Sequence, residues 1–188
     1  LLVNPAGIIS ILAGNGQSGE SGDKGPATAA SLRPSHGIAV DQAGNVYRST
    51  YVGGRVRRIS PDGIIDTIAG ASELVGDGGP AVFARLSDPR SVAVDAAGNI
   101  YVLSQPTRTV RKITPAGKIS VFAGDPDRGL RPSGTETLPA TSVNPWVMDS
   151  LAVDTVGNVY LAVTSPARVY KVTAEGMLSV FPGTDTDR

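Results

Sequence analysis

The chain has 188 residues, enough for one domain with its own apolar core. Its 17 Lys+Arg balance 17 Asp+Glu, which excludes a nucleic-acid binder that works through a strong overall basic field. It has no cysteine, so disulfides, thiolate metal sites and a Cys nucleophile are excluded, and no apolar run approaches the ~18 residues of a membrane-spanning helix. The chain opens on Leu-Leu-Val-Asn with no Met start and no signal-like segment, and it reads as a piece of something longer.

In chain order, residues 1–14 (LLVNPAGIISILAG) read as two strands ending at Gly14. SGDKGPATAASL (21–32) follows, a Gly-rich turn leading into a short helix over Ala27–Leu32. Four strands come next: Gly37–Asp41, Asn45–Ser49, Arg55–Ser60 and Ile64–Ala69. Their Val, Ile and Tyr residues alternate at period two, and Asp-x-x-Gly-Asn and Ser-Pro-Asp-Gly supply the turns. The series then returns. VGDGGPAVFARL (75–86) predicts a helix over Ala81–Leu86, and AVDAAGNIY (93–101) answers AVDQAGNVY (39–47). KISVFAG closes the unit at Gly124. A third return carries AVDTVGNVY (152–160) and MLSVFPG ending at Gly183, with a divergent stretch over 125–150 in place of the Gly-rich loop.

A unit of four short antiparallel strands recurring every ~55 residues is a β-propeller blade. A β-sandwich would not require so faithful a repeat. The chain is therefore all-β, a partial propeller ring of about three and a half four-stranded blades. Residues 1–14 are the last two strands of a blade, 15–70, 71–124 and 125–183 are blades, and 184–188 are a tail.

The repetition assigns roles. Asp41, Asp95 and Asp154 are expected to cap hairpins by accepting N–H groups two residues on. Gly44, Gly98 and Gly157 are expected in the left-handed region. Tyr47, Tyr101 and Tyr160 are expected between blades, each hydroxyl on a partner. A site copied identically into every blade reads as structure, not as catalysis. The basic third strands (Arg55, Arg57, Arg58; Arg108, Arg111, Lys112; Arg168, Lys171) read as a solvated outer face that blunts edge pairing. Glu20, Asp23 and Asp77 in the Gly-rich loops lack the alternating oxygen ligands of a calcium loop, so no metal is assigned. The P-loop pattern is missing too, so no cofactor is assigned and no residue is catalytic.

What differs between blades marks the candidate contacts. Aligning the repeats puts His36 (the only histidine), Arg90 and Asp149 at equivalent positions just before the innermost strand, at the rim of the central channel. Trp146, the single tryptophan, and Tyr51 in the YVGGR loop complete the set of rim contacts.

The recurring phrases GDKGPA and GDGGPA, AVDxxGNxY, then RVRRISPDG or TVRKITPAG resemble the NHL repeat family in its bacterial form, over essentially the whole chain. The resemblance implies a propeller, commonly six-bladed, in secreted or cell-surface proteins, sensor modules and interaction scaffolds. Some relatives of similar architecture are lyases or hydrolases. The family's Asp and Arg after the Tyr fall here on Thr50, Ser104 and Val163 and on Arg55, Thr109 and Arg168, so no blade keeps the pair. The expected function is a non-enzymatic scaffold for protein interaction or self-assembly, set outside the cytoplasm (extracellular, periplasmic or cell-surface). A lyase or hydrolase with a metal in the channel is the alternative, and it would need several His and acidic residues on the axis. An RNA-binding module is the second alternative, which the neutral charge disfavours. The expected partners are other copies, the remaining blades of a longer chain, other proteins or glycans. Open apolar blade faces at both ends predict a homo-oligomer.

Overall fold

The computed structural model describes residues 1–71, 76–125, 127, 132, 136–144, 147–164 and 167–181. Alternating β-branched and aromatic residues form short strands wherever a Gly- or Asp-rich turn lets the chain reverse. β1 (Leu2–Val3) and β2 (Ile9–Ser10) make a small hairpin, and the two-residue β3 (Gly25–Pro26) follows. The first full blade is β4 (Gly37–Val40), β5 (Val46–Thr50), β6 (Arg55–Ile59) and β7 (Ile64–Ala69). The second is β8 (Pro89–Val94), β9 (Ile100–Ser104), β10 (Thr109–Ile113) and β11 (Ile119–Ala123). After β12 (Leu138–Pro139) come β13 (Met148–Val153), β14 (Val159–Thr164), β15 (Ala167–Val172) and β16 (Met177–Val180). Each blade is an antiparallel meander with neighbours in chain order. The inner strands of successive blades pack together, β4 on β8 and β8 on β13. The molecule is a partial β-propeller.

The connections do more than cover distance. β3 adds a strand outside β7, β12 adds one outside β16, and a Pro80–Lys118 bridge does the same for the second blade. Each connection then makes a single 3₁₀ turn, at Ala27–Ala29, Ala81–Phe83 and Ala140–Ser142. The expected helices to Leu32 and Leu86 are thus one turn long, because the first alanine of each is fixed from both sides. The Ala81 N–H donates to Gly117 O at 2.7 Å, while Ala81 O accepts from Gly70 N–H at 3.2 Å. Ala27 links Gly63 to Gly14, and Ala140 links Gly176 to Gly124, by the same pair of bonds. The alanine therefore ties the end of one blade to the outer hairpin of the next. The third connection keeps this device on Leu138–Pro139–Ala140.

The apolar core lies between blades. One side of the first blade (Tyr47, Val56, Ala69) meets the opposite side of the second (Val92, Ile100, Val102, Ile113, Ile119). The second meets the third in the same way, Tyr101 and Val110 facing Leu151, Val159 and Leu161. Approach is close where β4 meets β8: a Cβ on Gly37 would lie 2.9 Å from Val92 N and 3.0 Å from Arg90 O.

Candidate functional site

The three repeated aspartates each close a hairpin by a knot of side chains. Asp41 Oδ1 accepts the Asn45 N–H at 2.8 Å, and its Oδ2 accepts from Asn45 Nδ2 at 2.8 Å and from the Tyr47 hydroxyl at 2.9 Å. Asp95 with Asn99 and Tyr101, and Asp154 with Asn158 and Tyr160, repeat the arrangement. The N–H taken is four residues on, because Gly44, Gly98 and Gly157 turn the chain at φ +83°, +80° and +88°. Asp154 Oδ1 also accepts the N–H two residues on, from Val156 at 3.1 Å, and Asp41 has the like interaction with the Ala43 backbone. Burial raises the Asp41 carboxyl, but the bonds from Asn45 and Tyr47 outweigh it and hold the group below its ordinary value. Burial and the bond to Asp41 push the Tyr47 hydroxyl up to about 12. Every carboxylate oxygen here is engaged by its own hairpin, so these residues hold the turns and the tyrosines in place.

The rim residues come together differently. His36 stands just ahead of β4, exposed, its ring 4.6 Å from that of Tyr51 at a tilt of 59°. Arg90 and Asp149 lie inside β8 and β13, each at a bulge: Pro89 pairs Ser104 and Ser91 pairs Leu103, while Met148 pairs Val163 and Ser150 pairs Ala162. A bulged residue is freed from the ladder and re-aimed. Arg90 Nε donates to Asp88 Oδ2 at 3.3 Å, and Asp88 has φ +43°, an uncommon value for a non-glycine. Asp149 is exposed. The three residues thus start adjoining inner strands, joined through the Gly37–Arg90 approach and through the Leu151 N–H, which donates to Ser91 Oγ at 3.2 Å. Trp146 lies outside the described residues. Among the described residues, no three His, Cys, Asp or Glu side chains are grouped to hold a metal.

The basic third strands are not uniformly solvated, which corrects the sequence expectation. Arg57 is fully buried. Its Nε and Nη2 donate to Asp23 Oδ1 at 3.1 and 2.7 Å, its Nη1 to Ser31 O at 3.1 Å, and its Nη2 also to Ser21 O at 3.0 Å. Arg111 holds the next connection likewise, with Nε 2.9 Å and Nη2 2.8 Å from Asp77 Oδ1, and Nη1 2.7 Å from Arg85 O. The acids of the Gly-rich loops are therefore counter-ions for buried arginines. The clue was there: in both repeats the acid precedes its arginine by 34 residues. In the third blade Tyr170, opposite Leu161, takes the arginine's register position and is buried.

The comparisons with known proteins fit this geometry. A family model of the teneurin NHL domain matches residues 69–188. Teneurin-1 of Mus musculus is 29% identical over 181 residues, covering 88% of this chain but 6% of that protein. The chain thus spans a small fraction of the length of the relatives it matches. Among solved structures, an auxiliary nutrient binding protein from Bacteroides ovatus aligns at a TM-score of 0.59 with 14% identity, covering 92% of this chain and 44% of that one. Virginiamycin B lyase from Staphylococcus aureus aligns at 0.51 with 14% identity, covering 80% and 42%. At these identities the two structures speak for the fold alone. No helix among the described residues is long and apolar enough to cross a membrane. The repeated turns, the blade order and the match over residues 69–188 make this chain a member of the teneurin NHL domain family.

Proposed function

We propose that the chain is a non-enzymatic interaction module, an NHL propeller segment that binds protein or glycan partners at its rim and assembles with further blades of its own kind. The observation that carries this reading is the contrast between constant and variable positions. The Asp–Asn–Tyr knots repeat in all three blades, whereas the equivalent repeat position carries His36, Arg90 and Asp149, three different chemistries. Tyr51 and Val52 add exposed apolar surface beside His36. An aromatic and an arginine beside a variable rim suit recognition, and the NHL kinship supports an extracellular setting.

The test is direct binding of the purified chain to an array of extracellular protein domains and glycans. Tyr51→Ala and Arg90→Ala are expected to weaken the selected interaction about tenfold each with unchanged melting. Affinities indifferent to both substitutions would overturn the rim assignment. Chelator-sensitive cleavage of virginiamycin B by the chain would overturn the non-enzymatic reading.

A further inference from the structure

The equal counts of acidic and basic residues conceal a separation between the two ends of the blades. In an antiparallel meander successive turns alternate ends. The turns at the end away from the rim carry Asp41, Asp62, Asp95, Asp154 and Glu175 against Lys118. At the rim end Arg33, Arg55, Arg90 and Arg108 gather with His36. Backbone contacts place these groups side by side. Gly37, next to His36, meets Arg90 O; Gly54, next to Arg55, packs directly on Leu86 O; and a Cβ on Gly53 would lie 3.9 Å from Arg33 Cδ. Ser104 pairs with Pro89 on one side and with Thr109 on the other. Arg90 and Arg108 therefore stand at the same end of the second blade, two strand spacings (about 10 Å) apart.

Two of the groups here are held in backbone that a side chain resists. Arg108, just ahead of β10, has φ +50° where the first blade has Gly54 at +56° ahead of β6, and Asp88 has φ +43°. A left-handed value at a residue with a Cβ is a cost that the surrounding fold has to offset, and such outliers gather at binding sites. Asp88 engages Arg90 through Nε alone, at 3.3 Å. The Arg90 side chain is 40% exposed, and its two Nη groups have no partner among the described residues. The same holds for the partly exposed guanidinium groups of Arg55 and Arg108. Of the other rim carboxylates, Glu20 is engaged with Arg33 and Arg57, and Asp149, exposed in β13, bounds the basic patch at the third blade.

Resting on the rim reading above and naming its partner, we propose that the rim of the first and second blades binds an extended acidic segment of another protein. Same-side residues of an extended chain are about 7 Å apart. Carboxylates at positions i and i+2 thus come within reach of the Arg90 and Arg108 forks, and a guanidinium takes a carboxylate bidentately. An apolar residue beside them meets Tyr51 and Val52, which are 38% and 39% exposed. Aromatic and arginine side chains together are the composition of protein interfaces. A nucleic acid would be held through its phosphates and would leave that apolar surface unused.

The probe is a fluorescein-labelled peptide with Glu at i and i+2 followed by Phe. Its version with Ser in place of Glu and a single-stranded oligonucleotide of similar length serve as comparisons. The chain is expected to bind the acidic peptide about tenfold or more tighter than either, with an affinity that falls as salt rises. Arg108→Gly and Arg108→Asn are each expected to weaken the acidic peptide about tenfold while Tm holds or rises, because each relieves the left-handed backbone as it removes the charge. An arginine with a purely structural role would instead lower Tm when replaced. Oligonucleotide binding as tight as that of the peptide would overturn the proposal, as would an acidic-peptide affinity indifferent to both Arg108 variants. Loss of binding together with a large fall in Tm would do the same. A partner selected from the array that depends on Tyr51 but not on Arg108 would leave the rim reading standing and this proposal fallen.

Discussion

At the scale of single residues, the most informative departure from the repeat is Arg48. On the same face of the first blade it lies directly across from Arg57, whereas Val102 faces Arg111 and Leu161 faces Tyr170. Like charges at directly opposite positions repel. The arrangement stands because Glu20, 3.9 Å from both Arg57 Nη1 and Arg33 Nε, places a negative charge beside this cluster. Burial presses the Arg48 guanidinium below its ordinary value, and the Glu20 charge works against that. Glu20→Leu alone is therefore expected to cost about 3 kcal/mol, because it leaves buried positive charge uncompensated. Arg48→Val in the same chain, which restores the residue type of the second blade, should recover most of that loss. Urea midpoints of the two single variants and the double variant measure the coupling, expected at about 1.5 kcal/mol or more. Simple additivity would show that Glu20 does not serve Arg48.

At the scale of elements, the alternation of apolar and polar residues announced β4 to β7 to within a residue at each end, because a strand's period is a local property. The repeat likewise made the Asp–Gly turns and the shared position of His36, Arg90 and Asp149 visible. The bulges that free Arg90 and Asp149 were not visible, since they depend on how two strands count against each other. Nor was the burial of Arg57 and Arg111. A period-two pattern scores an arginine as solvent-facing, and the groups that satisfy these two arrive from connections 34 residues upstream. The alanine link was hidden for a related reason: its information is in backbone bonds that tie together three segments distant in sequence. It leaves no room for a side chain, as Ala27, Ala81 and Ala140 are all at most 1% exposed. Ala81→Leu is expected to destabilise by about 2–3 kcal/mol through overpacking, while the same change at neighbouring Phe83, about half-exposed, should be nearly neutral. Thermal melts of the two variants decide it. Equal effects would mean that the link is not the constraint.

At the scale of the whole molecule, stability resides in contacts between neighbouring blades, so it adds along one dimension as in other repeat arrays. The blades are not equivalent in this respect. The second is packed on both faces, and every residue of β9 is buried. The first has the partly bare face around Ile38. The third leaves Val169 and Phe181 41% and 44% exposed, although Val56 and Val110, which match Val169, are fully buried. The Tyr160–Phe181 edge-to-face pair, 5.2 Å between centroids, repeats the Tyr101–Phe122 pair, but Phe181 is not covered among the described residues. A gradient of local opening follows: β9 and β10 at the top of the scale, β15 and β16 near the bottom, β4 between. Native-state hydrogen exchange reads this order, with protection in β9 and β10 expected to exceed that in β15 and β16 by about two orders of magnitude or more. If all the blades exchanged through one common global opening, the array would be a single cooperative unit. The exposed faces around Ile38 and Phe181 would then carry no energetic deficit.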